Sequence, residues 1–188
     1  GNHAEFWSSP DLKKWKKLSE FGQNLGNHDG VWECPDLFPL PVEGTSDTMW
    51  VLIININPGN PNGGSGTQYF VGTFDGTTFT PDAAFLPFVS KGKAVWLDGG
   101  KDNYAGVTWS DAPDHRRLLI GWMSNWQYAN KVPTIEWRNA MTIPWQLSLH
   151  KTEVGYRIIT KPVPELKALR TSSTDIPATT ITDTMDIS

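Results

Sequence analysis

The sequence predicts an all-β fold and, among all-β folds, a β-propeller. Ten Trp, seventeen Gly and fourteen Pro among 188 residues are typical of many short strands joined by tight turns. A helical apolar period is hard to find, whereas strand-like runs recur between turn signals. These runs form groups spaced by roughly 40 to 50 residues, which is the sequence period of four-stranded propeller blades. Sandwiches and barrels also consist of strands and turns, so this period is what favours a propeller.

The first group of strands begins with the β-branched run at residues 49–56. A loop at residues 57–66 follows, with four Gly and two Pro, and residues 68–75 are expected to form the next strand. An Asp-Gly pair at residues 75–76 is a typical hairpin turn. The pattern therefore predicts two strands and a hairpin around one long loop.

Two further groups of strands follow towards the C-terminus. The second group is an antiparallel pair around a polar turn, and the third is a set of three short strands. In order, these strands are predicted at residues 104–109 and 117–123, then at 138–143, 146–150 and 156–160. Beyond Pro162 the pattern fades, and residues 171–188 are rich in Thr, Ser and Asp. We expect an incomplete propeller domain at residues 1–165 and a linker or tail at residues 166–188.

Charge and hydrophobicity argue against two classes of partner. Sixteen Lys and Arg against twenty Asp and Glu give a net charge of −4, which lacks the positive field that a nucleic-acid binder needs. The longest near-apolar run, at residues 49–56, is far shorter than the roughly 20 residues of a membrane-spanning helix. We therefore expect neither nucleic acid nor a membrane as a partner.

Cysteine and histidine show no pattern of a metal or cofactor site. Cys34 is the single cysteine, which excludes an internal disulfide, and no base is adjacent to it, so we expect a small packed side chain. The four histidines are scattered without the paired spacing of metal ligands. The sequence therefore predicts no metal and no cofactor.

Glu33 is the first candidate for chemistry. It lies between Trp32 and Cys34, and such neighbours would keep water away, raise the pKa of a carboxyl group and let it donate a proton near neutral pH. The alternative is an ordinary surface carboxylate near a strand end, which composition alone favours. Asp36 follows Pro35 in a position that suits a turn or cap, so we interpret it as structural.

Sugar-binding groups are expected in two further segments. Asp98 and Lys101 lie on a Gly-containing loop before a strand, where a carboxylate could accept hydrogen bonds from sugar hydroxyls and an ammonium could donate them. A solvated turn is the alternative there. Asn125 and Trp126 end a Gly-Trp-Met-Ser-Asn-Trp segment, whose indoles could stack on a sugar ring. A Trp at a strand end is more often plain core, so this segment does not decide by itself.

Taken in order, the segments resemble glycoside hydrolase family 32, which contains levanases, inulinases and invertases. The resemblance runs from Phe6 to about Pro164, and its details look most like the exo-acting levanases and inulinases. The motifs that carry it are Phe-Trp-Ser-Ser-Pro-Asp-Leu at 6–12, Trp-Glu-Cys-Pro-Asp-Leu at 32–37, Asn-Gly-Gly-Ser at 62–65 before Gln-Tyr-Phe-Val-Gly at 68–72, the loop at 98–105, Ile-Gly-Trp-Met-Ser-Asn-Trp at 120–126 and Arg-Asn-Ala-Met-Thr-Ile-Pro at 138–144.

The resemblance implies a five-bladed propeller with its active site in an axial funnel, followed by a C-terminal β-sandwich. This chain would supply about blades 3 to 5 and the end of blade 2. A retaining mechanism is implied, with an Asp nucleophile and a Glu acid/base whose carboxyl groups lie about 5 to 5.5 Å apart. Glu33 matches the acid/base residue. Asp98 and Lys101 match a sugar-contacting loop, and Asn125 and Trp126 match positions near the pocket.

Two segments of the family pattern are absent from this sequence. They are Trp-Met-Asn-Asp-Pro-Asn-Gly, which carries the nucleophile, and Arg-Asp-Pro, which carries a second Asp. Both would lie upstream of Gly1, so we expect the chain alone to be inactive. Its open sheet faces are expected to self-associate or to bind a chain that supplies the missing blades.

The expected substrate is a fructan such as levan or inulin, or sucrose, and the resemblance implies a secreted or periplasmic location. A non-catalytic fructan-binding or structural module is the alternative, because sugar stacking does not need a nucleophile. A five-bladed hydrolase of pentosans is a third hypothesis, against which the Trp-Glu-Cys-Pro box argues.

Overall fold

Strands account for most of the regular structure. The computed structural model describes residues 1–90, 92–182 and 184–185. In chain order, the strands are β1 (Ala4–Ser8), β2 (Lys16–Phe21), β3 (Val31–Pro41), β4 (Thr48–Asn57), β5 (Gly66–Phe74), β6 (Phe79–Pro81), β7 (Tyr104–Thr108), β8 (Arg117–Met123), β9 (Ala140–Met141), β10 (Trp145–Thr152) and β11 (Gly155–Pro162). The helical elements are α1 (Leu86–Val89) and 3-10 turns at Pro113–His115, Ala129–Lys131 and Pro164–Leu169. The all-β prediction is confirmed.

Neighbouring strands pair antiparallel and form three sheets. β1 and β2 form a pair, and β3 to β6 form a four-stranded sheet in sequence order. The third sheet has the order β11-β10-β8-β7, with the short β9 beside β8. A four-stranded antiparallel sheet in sequence order is the architecture of a propeller blade.

The C-terminal half differs from the predicted grouping. The sequence pattern placed residues 104–123 and 138–160 in separate groups, but residues 145–147 of β10 pair with residues 117–119 of β8. The two groups therefore share one sheet, because the chain returns along β8 after the loop at residues 124–139. Among the described residues, the strands therefore form two larger sheets and one strand pair. Which blades of a complete propeller these are stays a prediction.

The main core lies on β4 and β5, which are covered on both faces. Residues 51–54 of β4 are at most 1% exposed, which explains why this strand is a continuous apolar run instead of an alternating one. On one face Phe70 packs edge-on against Phe21, with 4.9 Å between ring centroids. On the other face the Tyr69 hydroxyl lies 3.2 Å from the Ile158 amide of β11, which donates to it.

β3 and β7 lie next to each other at the inner edges of the two large sheets. The Asp36 carboxylate fixes this contact, since its Oδ2 accepts from the Thr108 amide at 2.8 Å and from the Thr108 hydroxyl at 2.7 Å. Arg117 of β8 adds a contact between the same two sheets, with its guanidinium 4.7 Å from the centroid of the Phe38 ring on β3. The interpretation of Asp36 as structural agrees with these bonds.

The chain beyond Leu169 carries no strand or helix among residues 170–182 and 184–185, which are exposed. The linker or tail at residues 166–188 stays a prediction, and residues 183 and 186–188 lie outside the described part. Among the residues that the structure describes, no helix has the length and apolar character needed to span a bilayer.

Candidate active site

A β-bulge in β3 presents Glu33. The register between β3 and β4 shifts between Glu33, which is opposite Asn55, and Asp36, which is opposite Ile53. One extra residue therefore lies on β3, and Cys34 adopts a left-handed φ of 45°. The bulge separates the side chains: Trp32 is buried in the core, whereas Glu33 and Cys34 are exposed.

Two expectations about this segment were wrong. We expected apolar neighbours to shield Glu33, but Trp32 points to the opposite face of the strand and packs on Phe70, at 5.7 Å between ring centroids. We expected Cys34 to be packed, but the bulge turns it to the surface. Side chains alternate along a strand, so Trp32 does not lie beside the Glu33 carboxyl group, whereas the bulge leaves Cys34 on the same cavity as Glu33.

Tyr104, the first residue of β7, donates its hydroxyl hydrogen to Glu33 Oε2. Burial raises the pKa of Tyr104, and the hydrogen bond with Glu33 raises it further. The phenol therefore stays protonated at neutral pH and serves as a permanent donor. It ties the carboxyl group on one sheet to the inner strand of the other.

Glu33 and Tyr104 line a cavity of about 400 Å³ together with Cys34, Ala105, Trp122 and Trp126. The two indole rings lie 5.0 Å apart between centroids and are tilted by 55°. Trp126 is 49% exposed, so its ring can offer an open face. Apolar ring faces beside a carboxyl group can hold a sugar ring next to a proton donor.

Asp98 and Lys101 line a different and larger cavity of about 620 Å³, whose floor includes Leu119, Ile143 and Trp145. Both charged groups already have partners in the fold. Asp98 accepts from the Gly100 amide at 2.7 Å, and the Lys101 ammonium donates to Gln127 at 2.9 Å. The predicted binding residues therefore divide between two cavities, with Glu33 and Trp126 on one and Asp98 and Lys101 on the other.

Asn125 lines neither of these cavities and is fully buried. Its Nδ2 lies 3.1 Å from the Ser65 carbonyl and 3.0 Å from the Lys101 carbonyl. Its Oδ1 accepts from the Gln127 amide at 2.9 Å. The amide thus holds the loops at residues 59–65, 98–103 and 124–128 together, and these loops carry Lys101 and Trp126.

Sequence reasoning missed Tyr104 and Trp122 as residues beside Glu33. Both belong to motifs that the sequence singles out, but they lie 71 and 89 residues after Glu33, and only the fold brings them to the same cavity.

Sequence reasoning also missed a cluster of His3, Glu5 and Glu20. A ring nitrogen of the histidine and one carboxylate oxygen of each glutamate lie within 4.8 Å of one another. The Lys17 ammonium already bonds both carboxylates there. His3 and Glu5 come from the segment at β1 and Glu20 from β2, so only the pairing of the two strands brings the three side chains together.

A carboxyl group beside paired indoles, in a cavity between antiparallel sheets, is typical of carbohydrate-active proteins. The chain belongs to glycosyl hydrolases family 32, because the model of the family's N-terminal domain matches residues 1–162. It is 49% identical over 176 residues to a levanase of Bacillus subtilis, covering 92% of this chain and 25% of the relative. It is 47% identical over 158 residues to an extracellular exo-inulinase of Aspergillus niger, covering 83% of this chain and 29% of the relative.

Solved structures agree with the family assignment. The exo-inulinase of Aspergillus awamori superposes with a TM-score of 0.78 at 43% identity, covering 86% of this chain and 31% of that one. A β-fructofuranosidase of Schwanniomyces occidentalis in complex with fructosyl-erythritol gives 0.73 at 36% identity, covering 86% and 30%. The family resemblance and the propeller class are thereby confirmed. The chain spans only about a quarter to a third of the length of these relatives.

Proposed function

We propose that this chain is the acid/base part of a family 32 propeller whose complete polypeptide hydrolyses β-fructosidic bonds of levan, inulin or sucrose. The observation that carries the proposal is the Glu33 carboxyl group, which is bonded to Tyr104 and lies beside Trp122 and Trp126. The relatives named levanase and exo-inulinase support the substrate class. Relatives described as extracellular support a secreted or periplasmic location.

In the proposed reaction, Glu33 protonates the glycosidic oxygen as the bond between it and the fructosyl carbon breaks. An Asp on another part of the propeller attacks that carbon and forms a fructosyl-enzyme ester. Glu33, now a carboxylate, takes a proton from water, whose oxygen then displaces the Asp. Since this sequence has no Trp-Met-Asn-Asp-Pro-Asn-Gly segment, we propose that the isolated chain does not turn over.

Trp126 is the proposed stacking surface for the fructosyl unit, because half of its side chain is exposed in the Glu33 cavity. Asp98 and Lys101 are proposed to contact further hydroxyl groups of the substrate from their loop. To do so, Asp98 and Lys101 would exchange their present intramolecular hydrogen bonds for hydrogen bonds to the sugar. The net free-energy change of such an exchange is small for groups near the surface.

Fructose release by the complete polypeptide tests the proposal. The Glu33→Gln variant keeps the shape of the side chain but has no proton to transfer, and we expect kcat to fall by about 10²- to 10⁴-fold on sucrose and inulin. Glu43→Gln is the matched control, since Glu43 is an exposed residue after β3. Equal activity of the two variants would remove Glu33 from the proposed role.

A second candidate function is a fructan-binding module without catalysis. The exposed Trp126 face favours it, because stacking on a sugar does not need a nucleophile. Titration calorimetry of the isolated chain with fructo-oligosaccharides tests this function. Heat that saturates, and that disappears in Trp126→Ala, would support it; no heat at millimolar ligand would exclude it.

A further inference from the structure

A row of polar residues runs from the bulge in β3 across β4 to β5 of the four-stranded sheet. Glu33 on β3 is the register partner of Asn55 on β4, and Asn55 is the partner of Thr67 on β5. Asn55, which is 0% exposed, lies between Ile54 and Ile56, and Thr67, which is 5% exposed, lies between Gly66 and Gln68. A buried amide destabilises a core unless its hydrogen-bonding groups are paired.

The contacts of Asn55 lead to the bulge. Its Nδ2 donates to the carbonyl oxygen of Cys34 at 3.3 Å. The Thr67 hydroxyl donates to Asn55 Oδ1 at 2.7 Å, which fixes the amide with its NH₂ group towards Cys34. The same hydroxyl oxygen lies 3.5 Å from the carbonyl of Asn103, the residue before Tyr104.

The Cys34 carbonyl belongs to the bulged segment, where regular pairing between β3 and β4 is interrupted. Its residue also has the left-handed φ of 45°, a conformation that is unfavourable for a side chain with a Cβ. A donor aimed at this carbonyl compensates for the interruption of the ladder. Without the hydrogen bond from Asn55, little would stabilise the bulged backbone against a regular strand conformation.

We propose that Asn55 and Thr67 are positioning residues for Glu33. They act through the backbone: Thr67 orients the Asn55 amide, the amide holds the Cys34 carbonyl, and the bulge then directs the adjacent carboxyl group to Tyr104. Neither residue lines the Glu33 cavity, so neither is a catalytic residue. The catalytic consequence of this inference rests on the proposed function of Glu33. The structural part, which concerns the hydrogen bonds of Asn55 and Thr67, does not.

Amide hydrogen exchange of the purified chain tests the structural part. In Asn55→Leu and Thr67→Val, we expect exchange in the peptide at residues 32–37 to accelerate by about three- to tenfold, the change in a local opening equilibrium that one lost hydrogen bond produces. Thr67→Ser keeps the hydroxyl and should restore the original rate. If Asn55→Leu does not fold, the Thr67→Val and Thr67→Ser pair decides.

Gln68→Leu is the matched control, because Gln68 is also fully buried on β5 and directs its amide elsewhere. Its Oε1 accepts from the Asn27 amide at 2.9 Å, and its Nε2 donates to the Asn27 carbonyl at 3.1 Å. We expect this variant to accelerate exchange around Asn27 and to leave residues 32–37 unchanged. Unchanged exchange at 32–37 in both Asn55→Leu and Thr67→Val would overturn the proposal.

The catalytic part is tested in the complete polypeptide. We expect Thr67→Val to lower kcat by about three- to tenfold with KM unchanged, and Thr67→Ser to restore it. If Thr67→Val leaves kcat unchanged while Glu33→Gln is inactive, the positioning role of Thr67 is refuted, but the proposed role of Glu33 is not. A fully active Glu33→Gln would instead refute the proposed function. The hydrogen-exchange measurement would still test the contacts of Asn55 and Thr67 independently of activity.

Discussion

At the scale of single residues, the hydrogen bond from the Tyr104 hydroxyl fixes the orientation of the Glu33 carboxyl group. Burial, and then the hydrogen bond with Glu33, raise the pKa of Tyr104, so the phenol remains a donor at neutral pH. A carboxyl group with a fixed donor on one oxygen has its other oxygen free to face a substrate. The pair therefore orients the candidate acid across the junction of two sheets.

Tyr104 also predicts a dependence of stability on alkaline pH. A group whose pKa is higher in the folded state stabilises the fold below its unfolded pKa, about 10 for Tyr, and this stability is lost as pH rises above that value. We expect Tyr104→Phe to show a smaller loss of unfolding free energy between about pH 9 and 11. Tyr69, whose pKa burial also raises, keeps part of the slope. Urea unfolding at several pH values measures this; parallel curves for both proteins would contradict it.

The role proposed for Glu33 could be inferred from its sequence motif, but its surroundings could not. Of its sequence neighbours Trp32 and Cys34, only Cys34 also lines the cavity, and the phenol and indole beside Glu33 come from distant Tyr104 and Trp126. Likewise, Asn125 could be picked out as part of a motif, whereas its burial depends on three loops that meet around it. Long-range contacts of this kind leave no local pattern in a sequence.

At the scale of strands and loops, the pattern predicted β4 and β5 well but did not predict β3 as a strand. Pro35, Pro39 and Pro41 oppose a strand assignment within β3. The structure accommodates them because β3 is an edge strand, which pairs with β4 on one side only among the described residues. Where a strand lies in a sheet decides whether proline is tolerated, and sequence alone does not show that position.

Asp36 should contribute measurably to the docking of β3 on β7. Asp36→Asn replaces a charged acceptor that holds both the amide and the hydroxyl of Thr108, so we expect a loss of about 1.5–3 kcal/mol in the free energy of unfolding. Asp29→Asn, an exposed control, should change it by less than about 0.5 kcal/mol. Denaturant titration measures both; equal effects would show that the β3–β7 contact does not depend on this carboxylate.

The junction of the three loops around Asn125 predicts a contrast between two glycines. Gly64 and Gly44 both have left-handed φ, +72° and +76°. A Cβ on Gly64 would lie 1.8 Å from Asn125 Oδ1, whereas one on Gly44 would meet nothing within 4 Å. Gly44→Ala should cost about 1 kcal/mol for the backbone conformation alone. We expect Gly64→Ala to cost at least about 2 kcal/mol more, as for other overpacked sites.

Chemical denaturation of the two alanine variants measures this contrast. Equal losses of unfolding free energy would mean that the three loops can separate without cost, and would contradict the role given to Asn125.

At the scale of the whole molecule, the described residues include large apolar side chains that are exposed in β1, in β9 and in the loops beside them. Trp7, Trp15, Trp137, Met141 and Ile143 are between 44% and 63% exposed. Exposed indoles and other large apolar side chains are expected where a face packs against another part of a polypeptide or a second copy. The relatives are three to four times longer than this chain, which agrees with such a face.

We therefore predict that the isolated chain forms particles of more than one copy. Light scattering at increasing concentration measures the mass of the particles, and a stable monomer across that range would contradict the prediction. We also expect no fructose release from sucrose or inulin by the isolated chain, since its sequence has no Trp-Met-Asn-Asp-Pro-Asn-Gly segment, which is proposed to carry the nucleophile. Turnover that remains after repeated purification would contradict that part.

The most direct test of the central claim compares two leaving groups in the first turnover of the complete polypeptide. Departure of glucose from sucrose needs a proton from the acid, whereas departure of fluoride from β-fructosyl fluoride does not. If Glu33 is the general acid, Glu33→Gln will release the first equivalent of fluoride at nearly the original rate and the first equivalent of glucose about 10²- to 10⁴-fold more slowly. An equal loss on both substrates, or a loss on neither, would contradict the account.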